Sequence, residues 1–338
     1  MSISIIIPVF NGSPFIKEAY HSIITQGIEN IQILFIDNNS EDDSKKKIQE
    51  LQKADTRIKL FKQSIQGAAA ARNKGLENAS GDYVYMLDVD DQIFPGALKS
   101  MKKVLDDYPN IDAVFGKMIK SYSDINQTEK PEVETNEVVF KEKPYWGLKW
   151  FSDLKTVVGP PAFLYRRNVF EKIGFYEMNI PASEDTALDI KLGMLCNVAF
   201  IDRYVYLYFK HETATTHIIK KNTDRAFMQW PRYTKSHLPF FLNNEVPLEF
   251  KKTLFKGIYG SMGRMLNLTA GIKERIELKK KLFKDIEPLN TPEILKSYLN
   301  ILVYLNNPYI FKFYIYYLLP QSIPYIVKIN EKPKTPIK

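Results

Sequence analysis

Short hydrophobic runs alternate with amphipathic segments over the first 120 residues of this 338-residue chain. The runs are rich in β-branched and aromatic residues and predict core strands at Ile3–Val9, Ile31–Ile36, Ile58–Phe61, Tyr83–Leu87 and Ala113–Phe115. The segments between them repeat with a helical period and predict helices around Phe15–Gln26, Asp43–Ala54, Ala68–Ala79 and Gly96–Asp107. This alternation predicts an α/β fold with a mostly parallel central sheet flanked by helices.

The pattern changes in the middle of the chain. Residues 121–143 are polar and rich in Glu and Lys, and they predict a long loop. Core-like sequence then resumes with predicted strands at Ala162–Tyr165 and Val198–Tyr208. Between those strands, a helix is predicted to begin near Ser183.

Beyond about Lys220 the strand pattern fades, and the sequence predicts a helical C-terminal region. Its predicted helices are Asn222–His237, Leu248–Leu268, Lys273–Lys284 and Pro292–Leu305. An aromatic and aliphatic stretch follows at Asn307–Val327, where Pro308, Pro320 and Pro324 predict interruptions. No uninterrupted apolar run reaches the roughly 18 residues of a membrane-spanning helix.

Charge divides the chain as well. Residues 1–202 carry 24 Lys and Arg against 29 Asp and Glu, whereas residues 203–338 carry 23 against 10. The basic second part is either an ordinary solvated face or a surface for an anionic partner. We do not expect nucleic acid as that partner, because no nucleic-acid-binding module is recognisable and the aromatic residues lie apart from the Lys runs. Cys196 is the single cysteine, so no intramolecular disulfide can form.

Three carboxylates follow the fourth predicted strand directly, in the run Asp88-Val89-Asp90-Asp91. Ligands of such sheets bind beyond the carboxyl ends of the strands. Adjacent carboxylates repel each other, and a bound hard divalent cation such as Mg²⁺ or Mn²⁺ would offset that repulsion. Taken alone, the run is equally consistent with a polar turn between a strand and a helix.

A second polar cluster, Asp37-Asn38-Asn39-Ser40-Glu41-Asp42, follows the second predicted strand. Asn, Asp and Ser favour turns and helix caps, and Ser40 is a candidate cap for the next helix. The other interpretation places Asp37 or Asn38 against a nucleotide base. The residues alone leave both open.

Eight short motifs stand in a fixed order along residues 3–216, about two-thirds of the chain. They are Ser4–Asn11, Asp37–Asp42, Ala71–Leu76, Ala79–Tyr83, Asp88–Asp91, Ile173–Tyr176, Ser183–Asp185 and Lys210–Glu212. In this order and spacing, the chain resembles the family 2 glycosyltransferases, which have the GT-A fold. The resemblance implies transfer of a sugar from a nucleotide-sugar donor, most simply a UDP-sugar.

The resemblance implies a nucleotide site built from the ends of the first strands. Pro8, Val9 and Asn11 would line the pocket, and Asp37 and Asn38 would lie against the base. Many family members have a second aspartate where this chain has Asn38. The amide of Asn38 could still accept from uracil N3–H and donate to O4. Arg72 and Asn73 would lie near the base and ribose of the same nucleotide.

The resemblance also implies a metal site. Asp88 and Asp90 match the family's D-x-D element, which faces the ribose and the metal, and Asp91 is the alternative direct ligand. His211 matches a histidine near the metal or diphosphate, and Lys210 beside it would pair with phosphate. The expected cofactor is Mn²⁺ or Mg²⁺.

On the acceptor side, Asp185 matches the catalytic base of an inverting transferase, and Glu184 would orient the acceptor or cap a helix. The predicted acceptor is a saccharide or a lipid-linked glycan, in bacterial surface polysaccharide synthesis. The catalytic domain would span residues 1–216, with the donor in 1–120 and the acceptor side in 140–216, followed by a C-terminal region at 217–338.

Two other classes of protein compete with this interpretation. A non-catalytic nucleotide or carbohydrate binder could keep the fold, but Asp88, Asp90, Asp91, Asp185 and His211 occur together, which argues against decay. A dinucleotide oxidoreductase is disfavoured because no G-x-G-x-x-G motif follows the first strand.

For residues 217–338 three roles stay open: peripheral contact with an anionic membrane, a homo-oligomer interface, or an intramolecular cover for the core. The first residues lack the basic region and cleavage site of a signal peptide. We therefore expect a cytoplasmic enzyme, at the inner face of the cell membrane if the C-terminal region binds it.

Overall fold

The computed structural model describes residues 1–180, 183–211 and 224–331. Glu212 of the last motif and the expected domain boundary between residues 216 and 217 lie outside the described residues. The chain forms two compact units. The N-terminal unit comprises residues 1–178 and 184–217, and the C-terminal unit comprises residues 179–183 and 218–338.

A mixed sheet forms the centre of the N-terminal unit. Its strands are β1 (Ile3–Val9), β2 (Ile31–Asp37), β3 (Ile58–Lys62), β4 (Tyr83–Met86), β5 (Gln92–Ile93), β6 (Ala113–Ser121), β7 (Val138–Lys141), β8 (Phe163–Arg166) and β9 (Val198–Phe209). They lie in the order β3-β2-β1-β4-β8-β6-β9-β5, with β7 also paired to β9. The first four are parallel, as are β6 and β9, whereas β5, β7 and β8 run antiparallel to their neighbours. The carboxyl ends of β1, β2 and β4 therefore meet at one edge.

Helices flank this sheet. They are α1 (Ile16–Ile24), α2 (Ser44–Ala54), α3 (Ala68–Asn78), α4 (Ala97–Asp107), α5 (Tyr145–Ser152), α6 (Val169–Ile173) and α7 (Glu184–Leu195), with short 3₁₀ turns at Leu154–Thr156 and Pro160–Ala162. The predicted strands and helices of the first 120 residues are confirmed, with ends shifted by a few residues. The prediction of a loop throughout residues 121–143 is wrong at β7, a short strand that pairs with β9. None of its residues is fully buried, so its sequence lacks the apolar pattern of a core strand.

A close helix crossing fixes α7, the helix that begins with Glu184 and Asp185. Gly147 of α5 and Gly193 of α7 face each other, and a Cβ atom added at Gly193 would lie 2.3 Å from the Gly147 nitrogen. No side chain fits between the two backbones. Beside this crossing, the rings of Trp146 and Trp150 of α5 pack against Phe115 of β6, so the helix that α7 crosses is packed on an aromatic core.

The C-terminal unit is helical. It contains α8 (Arg225–Arg232), a π-helical turn (Tyr233–His237), α9 (Leu238–Asn243), α10 (Leu248–Leu268), α11 (Ile272–Asp285), α12 (Glu293–Leu305), α13 (Pro308–Phe313), a second π-helical turn (Tyr314–Leu318) and α14 (Leu319–Ile329). Helix α10 lies at its core: Tyr314 donates a hydrogen bond to the Tyr259 carbonyl at 2.9 Å and packs closely on Gly263.

Prolines do not interrupt the last segment as the sequence predicts. Residues 308–329 are helical throughout, and the π-helical turn Tyr314–Leu318 comes just before Leu319-Pro320. The other π-helical turn likewise comes before Leu238-Pro239. A proline ring clashes with the carbonyl four residues earlier, and the wider π turn moves that carbonyl away. In the described ranges, no helix has the length and apolarity needed to cross a membrane.

Candidate active site

The carboxylates predicted at the end of β4 form a tight turn between β4 and β5. The Asp91 amide donates to the Asp88 carbonyl at 3.0 Å, which closes the turn. Asp91 is buried, and its Oδ1 accepts a hydrogen bond from the Phe209 amide at 3.1 Å. The acidic turn is thereby attached to the end of β9, the strand that leads into Lys210 and His211.

His211 reaches back to this turn. Its Nε2 lies 2.8 Å from Asp90 Oδ2, and its ring packs against Phe15 and Phe209, with centroids 4.8 and 5.9 Å away. The two phenyl rings hold the imidazole plane toward Asp90. Sequence reasoning missed Phe15 and Phe209, because an aromatic residue beside a helix start or at a strand end looks like ordinary core.

The acidic turn suits a hard divalent cation. Burial and the charge of Asp88 raise the pKa of the Asp90 carboxyl, and His211 opposes this shift. Burial and the charges of Asp88 and Asp90 raise the pKa of the Asp91 carboxyl well above its usual range. A cation would relieve that repulsion. Within residues 1–180, 183–211 and 224–331, no three His, Cys, Asp or Glu side chains already converge as ligands. A cation on the Asp90–His211 pair would therefore complete its shell from substrate phosphates and water.

Arg72 connects the acidic turn with the start of α7. This buried side chain donates from Nη2 to Asp88 Oδ1 at 2.7 Å and from Nη1 to Glu184 Oε1 at 3.2 Å. Its guanidinium carbon also lies 5.4 Å from the centre of the Tyr176 ring. Burial and Asp185 raise the pKa of Glu184, and Arg72 opposes that shift. Arg72 therefore holds together Asp88 and Glu184, which are expected on the donor side and the acceptor side.

Asp185, the residue expected to act as base, lies in the first turn of α7. Its Oδ1 accepts a hydrogen bond from the Thr186 amide at 2.6 Å, and the side chain is partly exposed. One turn further along, Asp189 is fully buried, and burial together with the charge of Asp185 raises its pKa well above the usual range. In the described part of the chain, Asp189 Oδ2 and the hydroxyls of Tyr165 and Tyr176 have no hydrogen-bond partner. Sequence reasoning missed this buried polar group behind Asp185, since its members lie on three separate elements.

The ends of β1 and β2 come together as expected. The Val9 carbonyl accepts from the Asn38 amide at 2.8 Å. Asn11, at φ 49°, accepts through Oδ1 from the Glu41 amide at 2.9 Å, and Asp37 Oδ1 accepts from the Ser40 amide at 3.1 Å. Pro8, one residue before the end of β1, completes this corner. Ser40 does not cap α2, because that helix begins at Ser44 and has Asp43 at its cap position. The Ser40 hydroxyl instead accepts a hydrogen bond from the backbone N–H of Asn11.

The bonding scheme expected for Asn38 needs correction. Its Nδ2 donates to the carbonyls of Gln63 and Ile65 at 2.9 and 2.7 Å, and its Oδ1 accepts from the Gly67 amide at 2.7 Å. Both amide hydrogens are therefore used, so Asn38 cannot also donate to uracil O4 in this conformation. One lone pair of Oδ1 remains for an N–H donor.

Asn73, which is expected near the base and ribose, uses its side-chain amide within the protein. Its amide forms two hydrogen bonds with the backbone of Tyr176: Nδ2 donates to the carbonyl at 2.8 Å and Oδ1 accepts from the N–H at 2.9 Å. Asn73 thus fixes the segment that carries Tyr176 over Arg72. Lys210 follows β9, and its ammonium lies 5.0 Å from the centre of the Tyr122 ring.

Comparison with known sequences identifies the family. The sequence model of the family described as "Glycosyl transferase family 2" matches residues 4–174. The uncharacterized glycosyltransferase EpsJ of Bacillus subtilis is 27% identical over 64% of this chain and 63% of its own length. The GalNAc(5)-diNAcBac-PP-undecaprenol beta-1,3-glucosyltransferase of Campylobacter jejuni is 39% identical over 32% of this chain and 36% of its own. The matches thus span less than two-thirds of these relatives.

Solved structures show the same fold. The S. aureus TarS fragment 1–349, solved in complex with UDP-GlcNAc, superposes with a TM-score of 0.65 at 17% identity and covers 96% of this chain and 92% of its own. The mannosyltransferase PcManGT of Pyrobaculum calidifontis, in complex with GDP-Man and Mn²⁺, gives a TM-score of 0.51 at 13% identity, over 93% and 87% of the two chains. The predicted fold class is confirmed. This chain belongs to glycosyltransferase family 2 and has the GT-A fold.

Proposed function

We propose that this enzyme moves a hexosyl or N-acetylhexosaminyl group from a UDP-sugar, with Mn²⁺ or Mg²⁺, onto a hydroxyl of a saccharide or lipid-linked glycan, with inversion. One observation carries the proposal: buried Arg72 joins Asp88 of the donor-side turn to Glu184, the neighbour of Asp185. A group transfer needs donor and acceptor side by side, and this contact brings their expected carboxylates together.

Asp185 is the proposed base. The Thr186 amide holds its Oδ1 and leaves Oδ2 for the acceptor. As the acceptor oxygen attacks the anomeric carbon, its proton passes to Asp185, and the bond from that carbon to the UDP oxygen breaks. Attack from the face opposite the leaving group converts an α-linked donor into a β-linked product. Glu184, held by Arg72, is proposed to orient the acceptor.

The donor is proposed to lie along the carboxyl ends of β1, β2 and β4. Asp37 and the remaining lone pair of Asn38 are candidates to accept from uracil N3–H, while Pro8, Val9 and Asn11 line the same corner. The UDP-GlcNAc complex of TarS supports a uridine donor. Lys210 is proposed to pair with the diphosphate, which requires it to leave Tyr122.

Asp90 and His211, which lie side by side, are proposed to hold the cation, and Asp91 stays the alternative direct ligand. A bound Mn²⁺ or Mg²⁺ would supply positive charge to the departing diphosphate. The Mn²⁺ in the PcManGT complex supports this proposal. A lipid-linked acceptor, and with it a place in surface polysaccharide synthesis, is supported by the undecaprenol-linked substrate in the name of the Campylobacter relative.

The decisive experiment combines a donor screen with one substitution. Purified protein is offered several nucleotide-sugars with and without EDTA, and released nucleotide is measured. We expect turnover with a UDP-sugar that EDTA abolishes and Mn²⁺ or Mg²⁺ restores. Asp185→Asn should lower transfer about 10²–10⁴-fold and leave UDP affinity within a few-fold. The exposed Asp107→Asn is the matched control.

Three results would contradict parts of the proposal. Full turnover in metal-free protein would refute the cation site, and normal transfer by Asp185→Asn would assign the base elsewhere. UDP binding without turnover of any donor would favour the competing interpretation, a binding protein that keeps the fold.

A further inference from the structure

The last helices of the C-terminal unit carry a continuous, exposed aromatic face. Residues 308–329 expose large side chains along one side, with fractional exposures of 50–78%. We call the following set the aromatic face: Tyr309, Phe313, Tyr316, Tyr317 and Tyr325 of residues 308–329, with Ile294, Ile301, Tyr304 and Leu305 of α12. Ring stacking of Tyr298 on Phe313 and of Phe313 on Tyr317, at 5.8 and 5.7 Å, joins the two helices into one surface.

The opposite side of the same helix is already used for folding. Tyr314, Ile323 and Ile326 are buried, and Tyr314 is bonded to α10. The aromatic face is therefore not needed to hold this helix in place. Exposed apolar patches of this extent are rare unless they serve a contact.

Charge indicates the kind of partner. Residues 293–330 contain Lys296, Lys312 and Lys328 and one acidic residue, Glu293, which pairs with Lys296 at 2.6 Å. Lys312 and Lys328 are exposed, and the Lys312 ammonium lies 5.9 Å from the centre of the Tyr309 ring. A second copy of this chain would set the same cations against each other. An anionic surface complements them instead.

The aromatic residues indicate the same partner. Five of the nine members of the aromatic face are tyrosines, whose rings are apolar and whose hydroxyls remain hydrated. Such side chains concentrate at the level of lipid head groups, and lysines beside them extend toward the phosphates. We propose that the aromatic face docks on a lipid bilayer that contains anionic lipids. The contact is peripheral, in line with the lack of a spanning helix among the described residues.

This inference rests on the proposed function only for its purpose, which is to bring the enzyme to a lipid-linked acceptor. Docking itself needs neither donor nor metal. A binding assay without substrate therefore tests it separately from transfer, and failure of one leaves the other standing.

The experiment is vesicle flotation with the full chain. Vesicles of phosphatidylcholine alone are compared with vesicles that also contain phosphatidylglycerol, at low and high salt. We expect flotation with the anionic vesicles that salt weakens. Combined Tyr309→Ser, Tyr316→Ser and Tyr317→Ser should lower vesicle binding at least about tenfold, because the buried ring area is lost. Tyr108→Ser, which removes an exposed tyrosine of the N-terminal unit, should leave binding unchanged.

A second variant tests the charge. Lys312→Gln and Lys328→Gln should each lower binding to the anionic vesicles about fivefold and leave binding to neutral vesicles almost unchanged. Absence of flotation with anionic vesicles would overturn the proposal, as would unchanged binding by the tyrosine variant. A dimer in light scattering that the tyrosine variant dissociates would also overturn it, since a second copy would then cover the face.

Discussion

Arg72 offers the sharpest test of how this site is held together. Arg72→Met keeps most of the side-chain volume and removes the guanidinium, so Asp88 and Glu184 lose their shared partner. The side chain of Arg72 is 6% exposed, that of Glu184 13% and that of Asp88 32%. Removing one partner of a fully buried ion pair costs about 3–5 kcal/mol. Since Asp88 keeps about a third of its exposure, we expect the low end, about 3 kcal/mol.

The dependence on pH separates lost charge pairing from lost packing. Arg72 lowers the pKa of Glu184 against the effect of burial. A partner that lowers a carboxyl pKa adds stability that is present at high pH and lost as the carboxyl is protonated. The cost of Arg72→Met should therefore shrink as the pH falls from about 8 to about 5, whereas a packing defect would cost the same at both.

The measurement is urea unfolding of wild type and variant at both pH values. Arg57→Met is the matched control, because Arg57 makes a 2.7 Å ion pair with Asp55 but is itself 36% exposed. We expect it to cost no more than about 1 kcal/mol. If Arg72→Met costs no more than Arg57→Met, or costs the same at both pH values, Arg72 does not act as the buried counter-ion described here.

Two further predictions concern side chains around Arg72. Asp189→Asn should gain stability relative to wild type as the pH rises above about 4, by up to about 1.4 kcal/mol per pH unit until the raised pKa of Asp189 is passed. The reason is that unfolded wild type releases a proton in this range, whereas its buried native carboxyl keeps it. Parallel urea-unfolding profiles would contradict this. Asn73→Ala should cost about 1–3 kcal/mol, since the Tyr176 backbone loses two hydrogen bonds. Its UDP affinity in calorimetry should stay within a few-fold of wild type, whereas a large loss of affinity at unchanged stability would restore the expected nucleotide contact.

Sequence reasoning succeeded where a signal is local. The strand of Ile3–Val9 has a short apolar run, and the turn Asp88–Asp91 follows directly on another. Parallel strands bring their carboxyl ends to one edge, so the positions of Asp37 and the acidic turn follow from topology. The same reasoning found four helical segments of the C-terminal unit from their period, but it missed α9 and the helices of residues 308–329.

It could not find partners that are distant in the chain. Arg72 meets Glu184 across 112 positions, and Asn73 meets Tyr176 across 103. Arg72 and Asn73 both lie in a motif that suggests contact with a ligand. Only the folded chain shows that their polar atoms form hydrogen bonds with other residues of the protein. Asn38 shows the same effect between two loops, where the carbonyls of Gln63 and Ile65, 25 and 27 positions away, take the hydrogens that the motif would leave for a base.

The charges of the site place a constraint on how the donor binds. Asp88, Asp90 and Asp91 lie in one turn, and Arg72, which joins that turn to Glu184, already has a carboxylate on each side. A nucleoside diphosphate brings more negative charge, and the raised pKa values of Asp90 and Asp91 show that the turn already resists its own ionisation. A donor bound at this turn, as proposed, would therefore be repelled by it unless a cation lay between the two. On the proposed function, the divalent cation and the donor should each tighten the binding of the other by the same factor, because coupling between two ligands is reciprocal.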